Sequence, residues 1–144
     1  MKFFAFAIPA FFSLSAAASE CTNNSAHIDI CVEAKKIAKT LNTGTPKRLN
    51  EQIELLGAYS YDNNVQVEYS FLYSRFDAEE FLRSQNSSFK SIESEIYPSL
   101  KHNICVRNKD TSLFINLGGV VVYKIKFSGD KDFSYLSIKQ CSQI

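Results

Sequence analysis

The chain has no tryptophan, one methionine, two histidines, five glycines and three prolines among its 144 residues. Glycine this scarce forms no phosphate-cradling loop and no dinucleotide fingerprint, and neither a Gly-x-Ser-x-Gly elbow nor a His-Glu-x-x-His pair occurs. The signatures that announce nucleotide-using enzymes, serine hydrolases and metalloproteases are therefore missing. An excess of one charge is missing too, since 16 Lys and Arg face 15 Asp and Glu. Such a balance gives no basic footprint for nucleic acid and no polybasic pull toward an anionic membrane, so neither is expected as a partner. There is no internal repeat and no low-complexity tract. Nor is there a membrane span: the apolar stretch at residues 3–14 has about a dozen residues, where a spanning helix needs roughly 20.

That stretch has instead the layout of a secretory signal. Lys2 supplies the positive start, residues 3–14 the apolar centre and residues 15–19 a run of small side chains, with Ala16 and Ala18 placing the cut between Ala18 and Ser19. Glu20 stands directly before Cys21, where lipid attachment needs small apolar residues, so no membrane anchor is expected after signal removal. Taking residues 1–18 from 144 leaves 126, enough for a single domain (residues 19–144) that buries roughly two thirds of its unfolded surface. The only charge lost is Lys2, so 15 basic groups then balance 15 acidic ones. The protein is expected outside the cytoplasm, in a periplasm or the medium.

Cys21, Cys31, Cys105 and Cys141 all lie in this exported part, and an even count in an oxidising compartment reads as disulfides. Three pairings are open. We expect Cys21 with Cys31, which are close in sequence, and Cys105 with Cys141, which bracket one compact stretch.

Ile30, Ala34, Ile37 and Leu41 recur at helical spacing and predict an amphipathic helix that ends in the Gly and Pro of residues 42–46. Alternation at residues 53–59 and again at 65–71, around Asp62-Asn63-Asn64, predicts a hairpin. A helix capped by Asp77 then carries an apolar stripe from Phe81 to Ile104, kinked by Pro98 near Glu95. Residues 113–117 read as a short helical turn closed by Gly118-Gly119, and residues 120–127 and 133–140 as a second hairpin. The fold class expected is α+β: an antiparallel sheet of two hairpins, four strands in all, packed against a long kinked helix, with an additional N-terminal helix.

Several residue groups could carry chemistry. His27 with Cys31 and His102 with Cys105, each one helical turn apart, could in principle hold zinc, but the spacing departs from common fingers and the cysteines have oxidised partners, so no metal and no cofactor is expected. As the only histidines, His27 and His102 are the catalytic candidates for a small nuclease-like hydrolase, although nothing in the sequence makes them converge. Glu79 with Glu80, and Glu93 with Glu95, read as the solvated face of a helix. Lys124, Lys126 and Lys139 form a basic stripe on the second hairpin. Tyr59, Tyr69 and Tyr123 fall with the apolar face, whereas Tyr61 and Tyr73, at strand ends, are the candidate interface tyrosines. Asn23-Asn24-Ser25 and Asn86-Ser87-Ser88 fit the glycosylation pattern, but the Asn, Lys, Ile and Ser content resembles bacterial proteins and they are read as unmodified.

Pro98-Ser-Leu-Lys-His-Asn-Ile-Cys105, then Leu117-Gly118-Gly119-Val120 with Tyr123 and the closing Cys141, together with the Val65-Gln-Val-Glu-Tyr69 run, resemble a pattern of small exported bacterial proteins of unassigned activity. The helix bearing Cys21 and Cys31 departs from it. The resemblance implies fold and export and transfers no catalytic residue. The function expected is a non-catalytic protein that binds another envelope or secreted protein, as an accessory factor, inhibitor or immunity-like protein does. The alternatives are the two-histidine hydrolase and a carrier of a small ligand.

Overall fold

Alternating apolar and polar residues build the centre of the molecule as a sheet. The structure, a computed structural model, describes residues 20–22, 24–86 and 88–141. The expected signal and its cleavage point lie outside the described residues, as do Asn23 and Ser87 of the two Asn-x-Ser triplets. A 3-10 turn (Glu20–Thr22) leads to helix α1 (Ile30–Leu41) and strands β1 (Lys47–Arg48), β2 (Ile53–Tyr61) and β3 (Asn64–Ser74). Helices α2 (Arg75–Gln85) and α3 (Ile92–His102), a π-helical segment (Asn103–Arg107) and helix α4 (Lys109–Asn116) follow. Strands β4 (Val120–Ser128) and β5 (Ser134–Ile138) complete a five-stranded sheet of order β1-β2-β3-β4-β5, and the fold is α+β.

The sheet is mixed, not the antiparallel pair of hairpins expected. Strands β3 and β4 run parallel, with Asn64 opposite Val120 and Phe71 opposite Phe127, while the other neighbours are antiparallel. The helices between β3 and β4 carry the chain back along the sheet, and a crossover of that kind sets its strands parallel. The expected count of four strands also omits β1, whose two residues are too few to show alternation.

The long kinked helix is corrected to two helices, α2 and α3, the second running on into the π-helical segment. Asn86 ends α2 by accepting from the backbone N–H and hydroxyl of Ser88, both at 2.9 Å. Such side-chain bonds compete with helix bonds, and the chain turns helical again only at the capping box of Ser91 and Ser94. Pro98 lies inside α3, where it removes the one bond that would reach the Ser94 carbonyl. Asp77 is not the cap of α2. Ser74 is: its hydroxyl accepts from the Asp77 N–H at 3.1 Å and donates to the Asp77 carboxylate at 2.6 Å. Helix α4 is longer than the turn expected and closes in a Schellman motif, with Gly119 N–H donating to the Phe114 carbonyl and Gly118 N–H to that of Ile115. Gly118 takes φ +98°, which the motif requires and glycine adopts without strain.

One apolar core joins Ile30, Ala34 and Ala38 of α1, Leu55, Val65 and Val67 of β2 and β3, and Val121, Ile125 and Phe127 of β4 with Ile104, Phe114 and Ile115. Along β4, Val121, Tyr123, Ile125 and Phe127 are buried while Val122, Lys124 and Lys126 between them are only half so. The helices thus cover one face of the sheet and leave the other open. Cys21 is bonded to Cys31, with 5.1 Å between Cα atoms, which ties the 3-10 turn to α1. Cys105 is bonded to Cys141, at 5.4 Å, which ties the π-helical segment to the chain just past β5.

Candidate functional site

The two histidines share no site. His27 lies in the loop before α1, not in the helix as expected, and holds a left-handed φ of 52°. His102 ends α3, and both are exposed. Neither lines either of the two concavities described below. The zinc arrangement finds no thiolate among the described residues, because all four cysteines are oxidised. Ligand atoms of Cys21, Asp29 and Cys31 do lie within 4.8 Å of one another, but the two sulfurs are bonded together and Asp29 caps α1, accepting from the N–H groups of Cys31 and Val32.

Of the carboxylate pairs, Glu79 faces Arg83 across one helical turn at 3.6 Å. Glu93 is not simply solvated. Arg75, at the start of α2, donates to Glu93 at 2.5 Å, to Asp130 at 3.2 Å and to the Ser134 hydroxyl at 2.9 Å, with its guanidinium 4.9 Å over the Phe127 ring. Burial pushes the Glu93 carboxyl up, but the bonds from Arg75 and Ser134 outweigh it and hold the group below its ordinary range. Burial likewise lowers Arg75, and its two carboxylates more than restore it. The network clasps α2, α3 and the β4–β5 hairpin.

Among the described residues, two concavities are candidates to hold a partner. On the helical side, a groove of about 580 Å³ runs between α1 and α4. Ile37 and Leu41 line it from α1, and Leu113 of α4 and Leu117, the residue that caps α4, from the other side, each pair four residues apart. Ile28 and Phe114 complete the apolar lining, while Glu33, Lys36, Asn108 and Asp110 supply a polar rim. Leu113 is 56% exposed. The spacing of Leu113 and Leu117 is visible in the sequence, but its pairing with Ile37 and Leu41 depends on packing between helices far apart in the chain.

On the open sheet face, a second concavity of about 310 Å³ is lined by Tyr59, Ser60, Tyr61, Asn64, Gln66 and Val122. Tyr61 is 76% exposed. Tyr59, expected in the core, is 54% exposed, because a bulge between Leu55 and Gly57 shifts the alternation of β2 by one residue. Tyr69 and Tyr123 do lie on the covered side, with ring centroids 5.8 Å apart, and burial raises both hydroxyls above their ordinary pKa. Tyr73 belongs there too: its ring packs at 5.3 Å on Phe71 and 5.8 Å on Phe127, and burial raises its pKa.

The basic stripe is divided. Lys124 is paired with Glu68 of β3, 4.6 Å from the Phe133 ring centre and 5.9 Å from that of Tyr135. The hydrogen bond to Glu68 raises the Lys124 pKa against the opposing effect of desolvation. Lys126 stands 5.7 Å over the same Phe133 ring, and Lys139 lies beyond the end of β5.

No protein-family model matches the chain, and no curated protein does. Solved structures match it. The fold is one that secretion-system pilotins also adopt. The EpsS pilotin of the Vibrio vulnificus type 2 secretion system superposes with a TM-score of 0.59 and 13% identity, over 80% of this chain and 94% of that one. The type II secretion pilotin AspS of Vibrio cholerae gives 0.54 and 14%, over 77% and 89%. A Pseudomonas aeruginosa protein assigned as secreted gives 0.59 and 18%, over 76% and 88%. At such identities the likeness to these pilotins is one of fold alone.

Proposed function

We propose that this chain is an exported, non-catalytic accessory protein that holds a segment of another envelope protein, in the setting of a secretion assembly. The observation that carries the reading is the groove between α1 and α4. Two helices presenting i,i+4 apolar pairs to the same channel match the apolar stripe of a third helix, which is how amphipathic helices dock in grooves. The rim of Glu33, Lys36 and Asp110 would meet polar residues at that helix's edges. The fold shared with two pilotins supports the secretion setting. The signal-like residues 1–18 and two disulfides support export.

The test is site-specific photo-crosslinking in the native host, with the reactive side chain at position 36 on the groove rim. An adduct with an envelope protein is expected, reduced at least tenfold by Leu113→Glu and unchanged by joint replacement of His27 and His102 with alanine. No adduct, or one indifferent to Leu113→Glu, would overturn the groove. Loss on replacing the histidines would return the hydrolase to consideration.

A further inference from the structure

We propose that the open face of the sheet is a glycan-binding platform, whose cleft at Tyr59 and Tyr61 takes a neutral sugar bearing hydroxyl and acetamido groups. The tyrosines point to it first. An uncovered sheet face is ordinarily polar, yet Tyr59 and Tyr61 on β2 and Tyr135 on β5, itself 61% exposed, present large aromatic surface on it. Gly57 gives Tyr59 room. A Cβ there would meet the Tyr59 hydroxyl at 3.2 Å, so the ring lies back along its own strand. The face of an aromatic ring is negative, and the C–H bonds on one side of a pyranose are weakly positive, so the two stack.

The polar groups are of the kind that reads a sugar. The Asn64 amide nitrogen donates to Asn63 at 3.0 Å, and that of Gln66 to Glu68 at 3.2 Å. Among the described residues the carbonyl oxygens of both amides have no donor, so they are free to accept from hydroxyl or acetamido N–H groups. Val122 adds an apolar spot for an acetamido methyl.

Charge decides between occupants. No ionised side chain lines the cleft; Lys124 and Glu68 pair with each other, and Asp62, in the turn after Tyr61, is the one charged side chain between the two cleft strands. A phosphorylated ligand or an acidic peptide would find no countercharge there, whereas an uncharged sugar needs none. At about 310 Å³ the concavity is at the small end of ligand sites, which run from roughly 300 to 1,000 Å³. The surface lies on the opposite side of the sheet from the groove, and the proposal stands independently of that reading.

The experiment is an NMR titration of the isotope-labelled protein with the β-1,4-linked tetramer of N-acetylglucosamine. Shifts are expected at the side-chain amides of Asn64 and Gln66 and along residues 59–61. Tyr61→Ala, which alters an exposed ring and leaves the core intact, should weaken binding at least tenfold, and Tyr59→Ala should do the same. Leu113→Glu should leave it unchanged. Absence of shifts at millimolar sugar, shifts confined to the α1–α4 groove, or unaltered binding by Tyr61→Ala would each overturn the proposal.

Discussion

A Cβ added to Gly119 would meet three carbons of the Phe114 ring at 2.4 to 2.6 Å, closer than any side chain tolerates. Phe114 is buried, so the clash must displace a packed ring. We expect Gly119→Ala to lower the unfolding free energy by about 1–3 kcal/mol, the usual cost of overpacking, measured by urea denaturation. Phe114→Leu in the same chain should recover part of it, because the two positions are coupled. Gly118-Gly119 is readable in the sequence as a stop signal, but the need for the second glycine comes from a ring five residues earlier that folds back over it. Tyr59 shows the same limit at another residue. Period-two alternation assigns it to the core, and one extra residue in the β2 bulge moves it to the open face.

Helix α1 was legible nearly to its ends, because an apolar stripe at 3.6 spacing and the Gly-Pro stop are both local signals. Strands β2, β3, β4 and β5 were legible for the same reason. What the chain does not display locally is which strands become neighbours, so the parallel pairing of β3 and β4 was missed. The apolar stripe from Phe81 to Ile104 ran on through Asn86 and Ser88, whose side-chain bonds break the helix where periodicity alone continues it. The disulfides act at this scale, each holding an element end. Cys105 and Cys141 are 36 residues apart, a loop whose closure stabilises by roughly 4 kcal/mol on the chain-entropy estimate. Replacing both with alanine should lower stability by about that amount, and replacing Cys21 and Cys31, only 10 apart, by less. Thermal unfolding of the two double variants under identical conditions checks the order.

Across the whole molecule, acid should loosen the fold through the Arg75 clasp. The Glu93 carboxyl is lower in the folded state than its ordinary 4.5, so its contribution is complete above that pH and drains away as pH falls through the folded value. Glu93→Gln should therefore flatten the loss of stability below pH 4.5, read from urea midpoints across an acid series. The candidate surfaces were partly legible at this scale. Tyr61 is exposed and Lys124 and Lys126 half-buried on the open face, but the groove joins two helices with residues 42–108 between them, and no local pattern announces it. That same long-range construction governs how the molecule assembles in time. The centre of the sheet joins residues 64–74 to residues 120–128, a closure that must wait for the intervening helices and is slow for that reason. A chain delivered N-terminus first shows an unpaired β3 edge and the apolar side of the first hairpin until Val120 and its successors emerge. Over that interval the exposed edge and apolar side are open to aggregation.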